Sequence, residues 1–213
     1  MKYLTDLEIE QYCKDHSSRE NSLLKKIRQD AFRFAPQADM CSDQLSGSFL
    51  RNIALLKQPK NILELGMFYG YSTLCMAEGS PNAKITCVEH DGRVINIAKD
   101  FFDAHPCNNI INVIHADANT QLDEILSNEK FDFIFIDADK KAYVDYVKKC
   151  CNHLDTGGVL IVDNALWRGN ILNTENDEKA ISVDECNKEL LNDERFENSL
   201  LPVRDGMHLA IRK

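Results

Sequence analysis

The sequence predicts a doubly wound α/β fold: a mostly parallel seven-stranded sheet, helices on both faces, and an antiparallel C-terminal hairpin. Three observations predict it. Short apolar runs bounded by turn residues recur from residue 61 onward. Helical patterns separate them in the order β-α-β-α-β-α-β-α-β, which a doubly wound sheet requires. Two runs, 131–137 and 158–163, are apolar almost throughout, as in strands buried on both faces.

Residues 4–14, 19–34 and 46–56 carry helical patterns ahead of the first strand. Residues 1–58 are therefore expected to be N-terminal helices covering a site, and 59–213 an α/β core, together one domain. The strand candidates are 61–66, 84–89, 110–115, 131–137 and 158–163. Between 92 and 105, Val94, Ile97, Ala98, Phe101 and Phe102 fall on the i, i+3, i+4, i+7, i+8 stripe of an amphipathic helix. Residues 119–127 and 143–153 behave alike. An acidic helix is expected near 177–192. Short strands at 200–203 and 207–211 flank Asp205-Gly206, a hairpin turn signal.

A chain of 213 residues, 44% hydrophobic and 28% charged, is ordinary for a folded protein. Lys and Arg number 25 against 34 Asp and Glu, a net charge of −9. That acidity argues against nucleic-acid partners and against docking on an anionic membrane. It leaves a cationic cofactor, a metal ion or plain solubility. Eight cysteines occur without a Cys-x-x-Cys pair, so reduced, mostly buried thiols in a cytoplasmic protein are expected. Neither a signal peptide nor a membrane-spanning run is expected.

Acids end several predicted strands: Glu64 just inside the first, Glu89 on the second, Asp137 on the fourth and Asp163 on the fifth, with Asp117 just after the third. In an open α/β sheet, ligands bind beyond the carboxyl ends of the strands. One such acid would be read as a helix cap. Four along one rim, with a glycine loop among them, predict a binding site. The loop Glu64-Leu-Gly66-Met-Phe-Tyr-Gly70-Tyr-Ser72 has Gly-x-x-x-Gly spacing, not the Gly-x-Gly-x-x-Gly of nicotinamide binders. A carboxylate two residues before Gly66 would repel a pyrophosphate and suit a cationic ligand. Glu89 can accept both hydrogens of a ribose diol. A ribosylated, cationic ligand without phosphates is S-adenosylmethionine.

Asp137 closes the fourth strand, and Asp163-Asn164 closes the fifth. Neighbouring strands lie ~4.8 Å apart, so these residues can share one ion. Two carboxylates and an amide oxygen make a hard site suited to Mg²⁺, with Mn²⁺ or Ca²⁺ as alternatives. Positions left open on the ion would admit two adjacent hydroxyls. Lys140 follows at the start of a helix, where a nearby cation disfavours its ammonium form and suits it to general-base work.

With both sites in view, the chain resembles the cation-dependent class I O-methyltransferases of the caffeoyl-CoA and catechol type. The stretches Leu63-Glu-Leu-Gly-Met-Phe-Tyr-Gly-Tyr-Ser72, Phe131-Asp-Phe-Ile-Phe-Ile-Asp-Ala-Asp-Lys140, Asp163-Asn-Ala-Leu-Trp-Arg-Gly169 and Leu201-Pro-Val-Arg-Asp-Gly-Met-His-Leu209 carry the likeness. It runs from about Arg19 to the C-terminus. The resemblance implies the family's Rossmann-like core and a set of roles. Glu64, Gly66, Met67 and Ser72 match its cofactor loop, Glu89 its ribose acid, and Asp117-Ala118 its adenine side. Met40 and Ser42 match positions that close over the cofactor. Asp137, Asp163 and Asn164 match the metal ligands, with Asp137 also beside the cofactor. Lys140 matches the catalytic lysine, and Trp167 and Arg168 lie in the loop on the substrate side. Arg168 stands where plant members carry Asn, and Leu45-Ser-Gly-Ser48 differs from the family's usual Gly-Gln. The implied reaction is methylation of one hydroxyl of a small vicinal diphenol by a homodimer. Two other readings are a non-catalytic cofactor-binding regulatory module, against which the intact ligands and lysine speak, and a nicotinamide-dependent oxidoreductase, against which the glycine spacing speaks.

Overall fold

The computed structural model describes residues 6–35, 41–127 and 129–213. Strands β1 (Asn61–Leu65), β2 (Lys84–Glu89), β3 (Ile111–His115), β4 (Phe131–Ile136) and β5 (Leu154–Asp163) run parallel. Strands β6 (Phe196–Leu201) and β7 (Met207–Arg212) complete the sheet, with β7 antiparallel to both β5 and β6. The order is β3-β2-β1-β4-β5-β7-β6. The chain builds outward from β1 to β3, then returns to lay β4 on the other side of β1. Connections leave in opposite directions at that reversal and open a crevice beyond the strand ends.

Side-chain alternation divides the interior into two cores. Ile62, Ile85, Phe133, Phe135 and Ile161 face α2 (Ser22–Phe34), α3 (Gln44–Lys57), α4 (Tyr71–Gly79) and α5 (Gly92–Asp103). Leu63, Leu65, Ile134, Ile136 and Val162 face α6 (Ala118–Leu126), α7 (Tyr143–Cys151) and α8 (Glu178–Asn192). Phe133, Ile134, Phe135 and Ile136 are all fully buried, which is why that run shows no alternation in the sequence. Each such side chain contributes roughly 1.5–3 kcal/mol by leaving water. The central strands therefore fix the level at which their terminal acids stand.

Three elements differ from the sequence expectation. Helix α4 shows no amphipathic stripe because all of it but Glu78 is buried, sandwiched between α3 and the sheet. Strand β5 starts at Leu154, which pairs with Phe131 across a β-bulge. Its Asp155-Thr-Gly-Gly stretch therefore reads as a turn in the sequence. Strand β6 begins at Phe196 and ends at Leu201, so a five-residue loop joins it to β7 in place of a two-residue turn at Asp205-Gly206.

The helix starts account for part of the acidity. Asp43, Asp91, Asp117 and Asp177 accept backbone N–H groups at the first turns of α3, α5, α6 and α8. Six of the eight cysteines are buried. No helix among the described residues is long and apolar enough to cross a membrane. Helix α1 (Leu7–Asp15) buries no residue of its own and is tied to α3 by Lys14–Asp43 at 3.0 Å.

Candidate active site

One cavity of about 800 Å³ occupies the crevice at the C-terminal edge of the parallel strands, within the size range of small-molecule sites. Gly66, Phe68, Glu89, Asp117 and Ala118 line one end, and Asp137, Lys140, Asp163 and Asn164 the other. Gly66, Glu89, Asp117 and Ala118 of the first constellation read from the sequence therefore share one space with the whole of the second.

The glycine loop is shaped by contact with the next strand over. Gly66 donates to Val88 O at 2.9 Å, and Asp137 N donates to Leu65 O at 2.8 Å. Gly66 has φ +84°, and a Cβ there would overlap the Asp137 carbonyl. Only glycine lets the loop press this close to β4. Glu89 secures the far side: one carboxylate oxygen accepts Phe68 N at 3.1 Å, the other accepts His90 N at 2.8 Å and Asp91 N at 3.1 Å. It is 8% exposed and borders the cavity.

Glu64 sits differently from the sequence picture of an acid facing a cation. On β1 it points to the α4 side with Ile62, is wholly buried, and accepts from Ser72 Oγ, Thr73 Oγ1 and Cys87 Sγ. Its carboxylate is spent on the first turn of α4 rather than on the cavity wall. Burial pushes its pKa up to about 7 against those three donors, with the Asp137 charge adding to the rise. The folded state thus holds a proton that the unfolded chain releases near pH 4.5, so this group's stabilisation is full below 4.5 and lost as pH rises through 7. Glu64→Gln removes that loss. Thermal melts should show the wild type losing ground to the variant between pH 4.5 and 7.5, by up to about 3 kcal/mol. A pH-independent difference would overturn this.

Met67, Ser72 and Ser42 are buried and border a smaller pocket on the other side of the loop, next to Gly66 and Asp137. Met40 lies outside the described residues. Asp117 lines the main cavity while its carboxylate caps α6 by accepting Asn119 N at 2.9 Å.

At the other end, Asp163 is 1% exposed and accepts Asn164 N at 2.7 Å. Burial, then the nearby charge of Asp137, pushes its pKa up to about 7. Asn164 donates Nδ2 to Asp205 at 3.2 Å, which leaves its Oδ1 as the oxygen that could be offered to a cation. Among the described residues no three His, Cys, Asp or Glu side chains converge; the set is two carboxylates and an amide oxygen. That donor set fits a hard divalent cation that keeps several of its own waters. Two acids crowded enough to raise one pKa are what such a cation relieves.

Lys140 donates to Asp137 Oδ1 at 2.6 Å and to Ala138 O at 3.2 Å, and lies 4.9 Å from the Tyr143 ring centroid. Its nitrogen is thus held at the trio. Lys141 pairs with Glu178 at the surface. Trp167 lines the cavity, its indole N–H donating to Asp177 at 3.0 Å, with Arg168 and Lys179 each 5.7 Å from its ring.

Several lining residues had no signal in the sequence. Asp205 clamps the loop after β5, accepting both Asn164 Nδ2 and Arg168 N. Glu10 reaches the cavity from α1, and Arg204 from the β6–β7 loop. Backbone strain also gathers here. Phe68, Asn164, Trp167, Arg168 and Arg204 have φ between 42° and 56°, and all five line the cavity. Non-glycine residues adopt this region rarely, and functional sites are where they collect.

The comparisons with known proteins agree with this geometry. The family model described as "O-methyltransferase" matches residues 14–213. The chain is 32% identical to a caffeoyl-CoA O-methyltransferase of Stellaria longipes over 96% of its length and 90% of that protein. It is likewise 32% identical to catechol O-methyltransferase domain-containing protein 1 of Mus musculus, over 95% of this chain and 79% of that one. The crystal structure of an O-methyltransferase from Bacillus cereus in complex with SAH superposes with a TM-score of 0.88 at 27% identity, covering 97% of both chains. With the 3-2-1-4-5-7-6 sheet, the glycine loop at its switch point and a match over residues 14–213, the chain belongs to the O-methyltransferase family and is an S-adenosylmethionine-dependent enzyme of the class I methyltransferase fold.

Proposed function

We propose that the enzyme methylates one hydroxyl of a small vicinal diphenol at a site that also holds a divalent cation, with Mg²⁺ the natural ion. The observation that carries this reading is the single cavity lined both by the Gly66–Glu89 end and by Asp137, Lys140, Asp163 and Asn164. The names of two relatives, a caffeoyl-CoA O-methyltransferase and a catechol O-methyltransferase domain-containing protein, support a vicinal diphenol as the acceptor class.

Asp137, Asp163 and Asn164 would hold the cation, which when bound lowers the energy of an adjacent phenolate. Glu89 would bind the ribose, and the Gly66–Phe68 backbone the amino-acid end of the cofactor. Asp205 fixes the amide of Asn164 and the backbone of Arg168, so the ligand end and the acceptor wall move as one unit. Lys140 takes the proton of the attacking hydroxyl. The oxygen's electron pair forms the O–CH₃ bond as the S–CH₃ bond breaks, leaving a methyl ether, S-adenosylhomocysteine and a protonated Lys140. Positioning and electrostatics provide the rate, since the methyl donor arrives already activated. Trp167 forms one wall for the flat acceptor. The family resemblance supports a homodimer and the unpaired cysteines support a cytoplasmic location; light scattering on the purified chain checks the dimer.

The test is methyl transfer from labelled cofactor to a panel of catechols and catechol acyl thioesters, with and without EDTA. Chelation and Asp163→Ala should each lower turnover about 100-fold or more, the scale of losing one preorganised charge contact. Full transfer by Asp163→Ala in chelator would remove the cation from the reading. No transfer to any vicinal diol would remove the acceptor class.

A further inference from the structure

The turn that carries Asn164 is strained and is held from both sides. Asn164 has φ 54°, a value that non-glycine residues adopt rarely. Such strain persists where the surroundings fix it. The two carbonyls that flank Asn164 are both bound by side chains from other elements. Asp163 O accepts Tyr143 Oη of α7 at 3.1 Å. Ala165 O accepts Asn187 Nδ2 of α8 at 2.8 Å.

Asn187 is held in turn. Its Oδ1 meets Nδ1 of His208 at 2.9 Å, while Nε2 of the same ring meets Asn198 Oδ1 at 3.2 Å. His208 stands on β7 opposite Val162 of β5 and is 3% exposed. The plainer explanation is a histidine merely satisfied in the core. The amide of Asn187 argues for more. Its nitrogen is committed to the Ala165 carbonyl, so the atom it turns to the ring is an acceptor, and the ring must donate from Nδ1. Burial pushes the His208 pKa down to about 4. The ring is therefore neutral near pH 7 and has one proton to place. Nδ1 makes the shorter of the two contacts. The proton goes toward Asn187 and the turn, and the Asn198 side is the weaker one, its own Nδ2 reaching Leu190 O at 3.2 Å.

We infer that His208 is a positioning residue for the turn that presents Asn164: its Nδ1–H orients Asn187, and Asn187 fixes the Ala165 carbonyl. The inference rests on the proposed cation site, which gives Asn164 an ion to meet. Asp205 holds the Asn164 side chain, while the His208–Asn187 relay holds the backbone behind it. Neither His208 nor Asn187 is among the residues lining the cavity, so both act through the turn.

Two measurements test this without any turnover. Long-range ¹⁵N NMR of the full chain, labelled at its six histidines, should find at neutral pH one ring protonated at Nδ1 alone, and that signal should vanish in His208→Asn. A His208 ring protonated at Nε2, or at both nitrogens, would overturn the relay. Mn²⁺ titration by calorimetry reads the turn itself. His208→Leu removes both ring nitrogens, and Asn187→Leu cuts the relay at its middle. Each should weaken Mn²⁺ binding at least about tenfold, the scale of losing the partners that orient a metal ligand. Asparagine places its amide nitrogen where Nδ1 stands, so His208→Asn should stay within about threefold of the wild type. Affinity for S-adenosylhomocysteine should stay within about twofold in all three, since Gly66 and Glu89 belong to the ends of β1 and β2. Asp163→Asn should abolish Mn²⁺ binding. Loss of both affinities together would reduce His208 to a general structural part and overturn the assignment. Wild-type Mn²⁺ affinity in His208→Leu and Asn187→Leu, with binding still abolished by Asp163→Asn, would overturn the relay and leave the cation site standing. Absence of any Asp163-dependent Mn²⁺ binding would remove the cation site and this inference with it.

Discussion

Lys140→Met is expected to slow methyl transfer by about 10²–10⁴-fold, the span that a positioned general base provides. Methionine keeps an unbranched apolar stem of nearly the same length and loses the nitrogen, with it the contact to the Tyr143 ring. The nitrogen is placed for the task, 2.6 Å from a carboxylate of the trio and largely shielded from solvent. Single-turnover rates with labelled cofactor measure the loss, and calorimetry should find cofactor affinity within about twofold of the wild type, because the group acts in the transition state alone. Lys140→Arg separates a base from a mere charge. Arginine keeps the cation but does not give up its proton at any working pH. An arginine variant at near wild-type rate would reduce Lys140 to a charge partner of Asp137.

Gly66→Ala is expected to abolish cofactor binding and to destabilise the fold. The new methyl group would overlap the Asp137 carbonyl, a backbone atom with nowhere to move while Asp137 N stays bonded to Leu65 O. The variant must part the ends of β1 and β4, and those ends join the glycine loop to Asp137, one of the proposed cation ligands. Gly157→Ala is the control. Gly157 has a similar φ of +72° but no atom within 4 Å of a Cβ, so it carries only the left-handed penalty of roughly 1–2 kcal/mol. Thermal melts and calorimetry with S-adenosylhomocysteine compare the two. Gly66→Ala should lose at least about 100-fold in affinity, the scale of a misplaced binding constellation, while Gly157→Ala binds normally. Equal behaviour of the two alanines would mean that close approach to β4 is not why glycine stands at 66.

The parts of the site on strand ends were legible because a strand in a doubly wound sheet announces its own end. An apolar run stops at an acid, as at Ile136-Asp137 and Val162-Asp163, and parallel pairing sets those ends side by side. The glycine loop was legible for a similar reason, since its spacing is local. Helix α4 was not delimited, because burial on every side erases the stripe from which helices are read. The service of Glu64 to Ser72, Thr73 and Cys87 was also hidden. Strand alternation places it opposite Leu63 and Leu65, but which donors wait on that face is a matter of helix docking. Asp205 read as a turn residue. Its work on Asn164 crosses 41 residues of chain, and no local pattern encodes a partner at that distance.

The sequence by itself determined the strand ladder, the family, and the residue types at the rim: a glycine loop, two acids with an amide, and a lysine. These follow from short-range rules of periodicity and spacing that the backbone obeys wherever it lies. The tertiary structure alone decided how the rim is wired. Antiparallel pairing of β7 with β5 brings Asp205 onto Asn164 and Arg204 to the cavity that Asp137 and Asp163 line, while the docking of α1 brings Glu10 there as well. The physical reason is range. Propensity and hydrophobic period act over a few residues, whereas charges and hydrogen bonds in a partly buried cleft act between whichever elements packing has made neighbours.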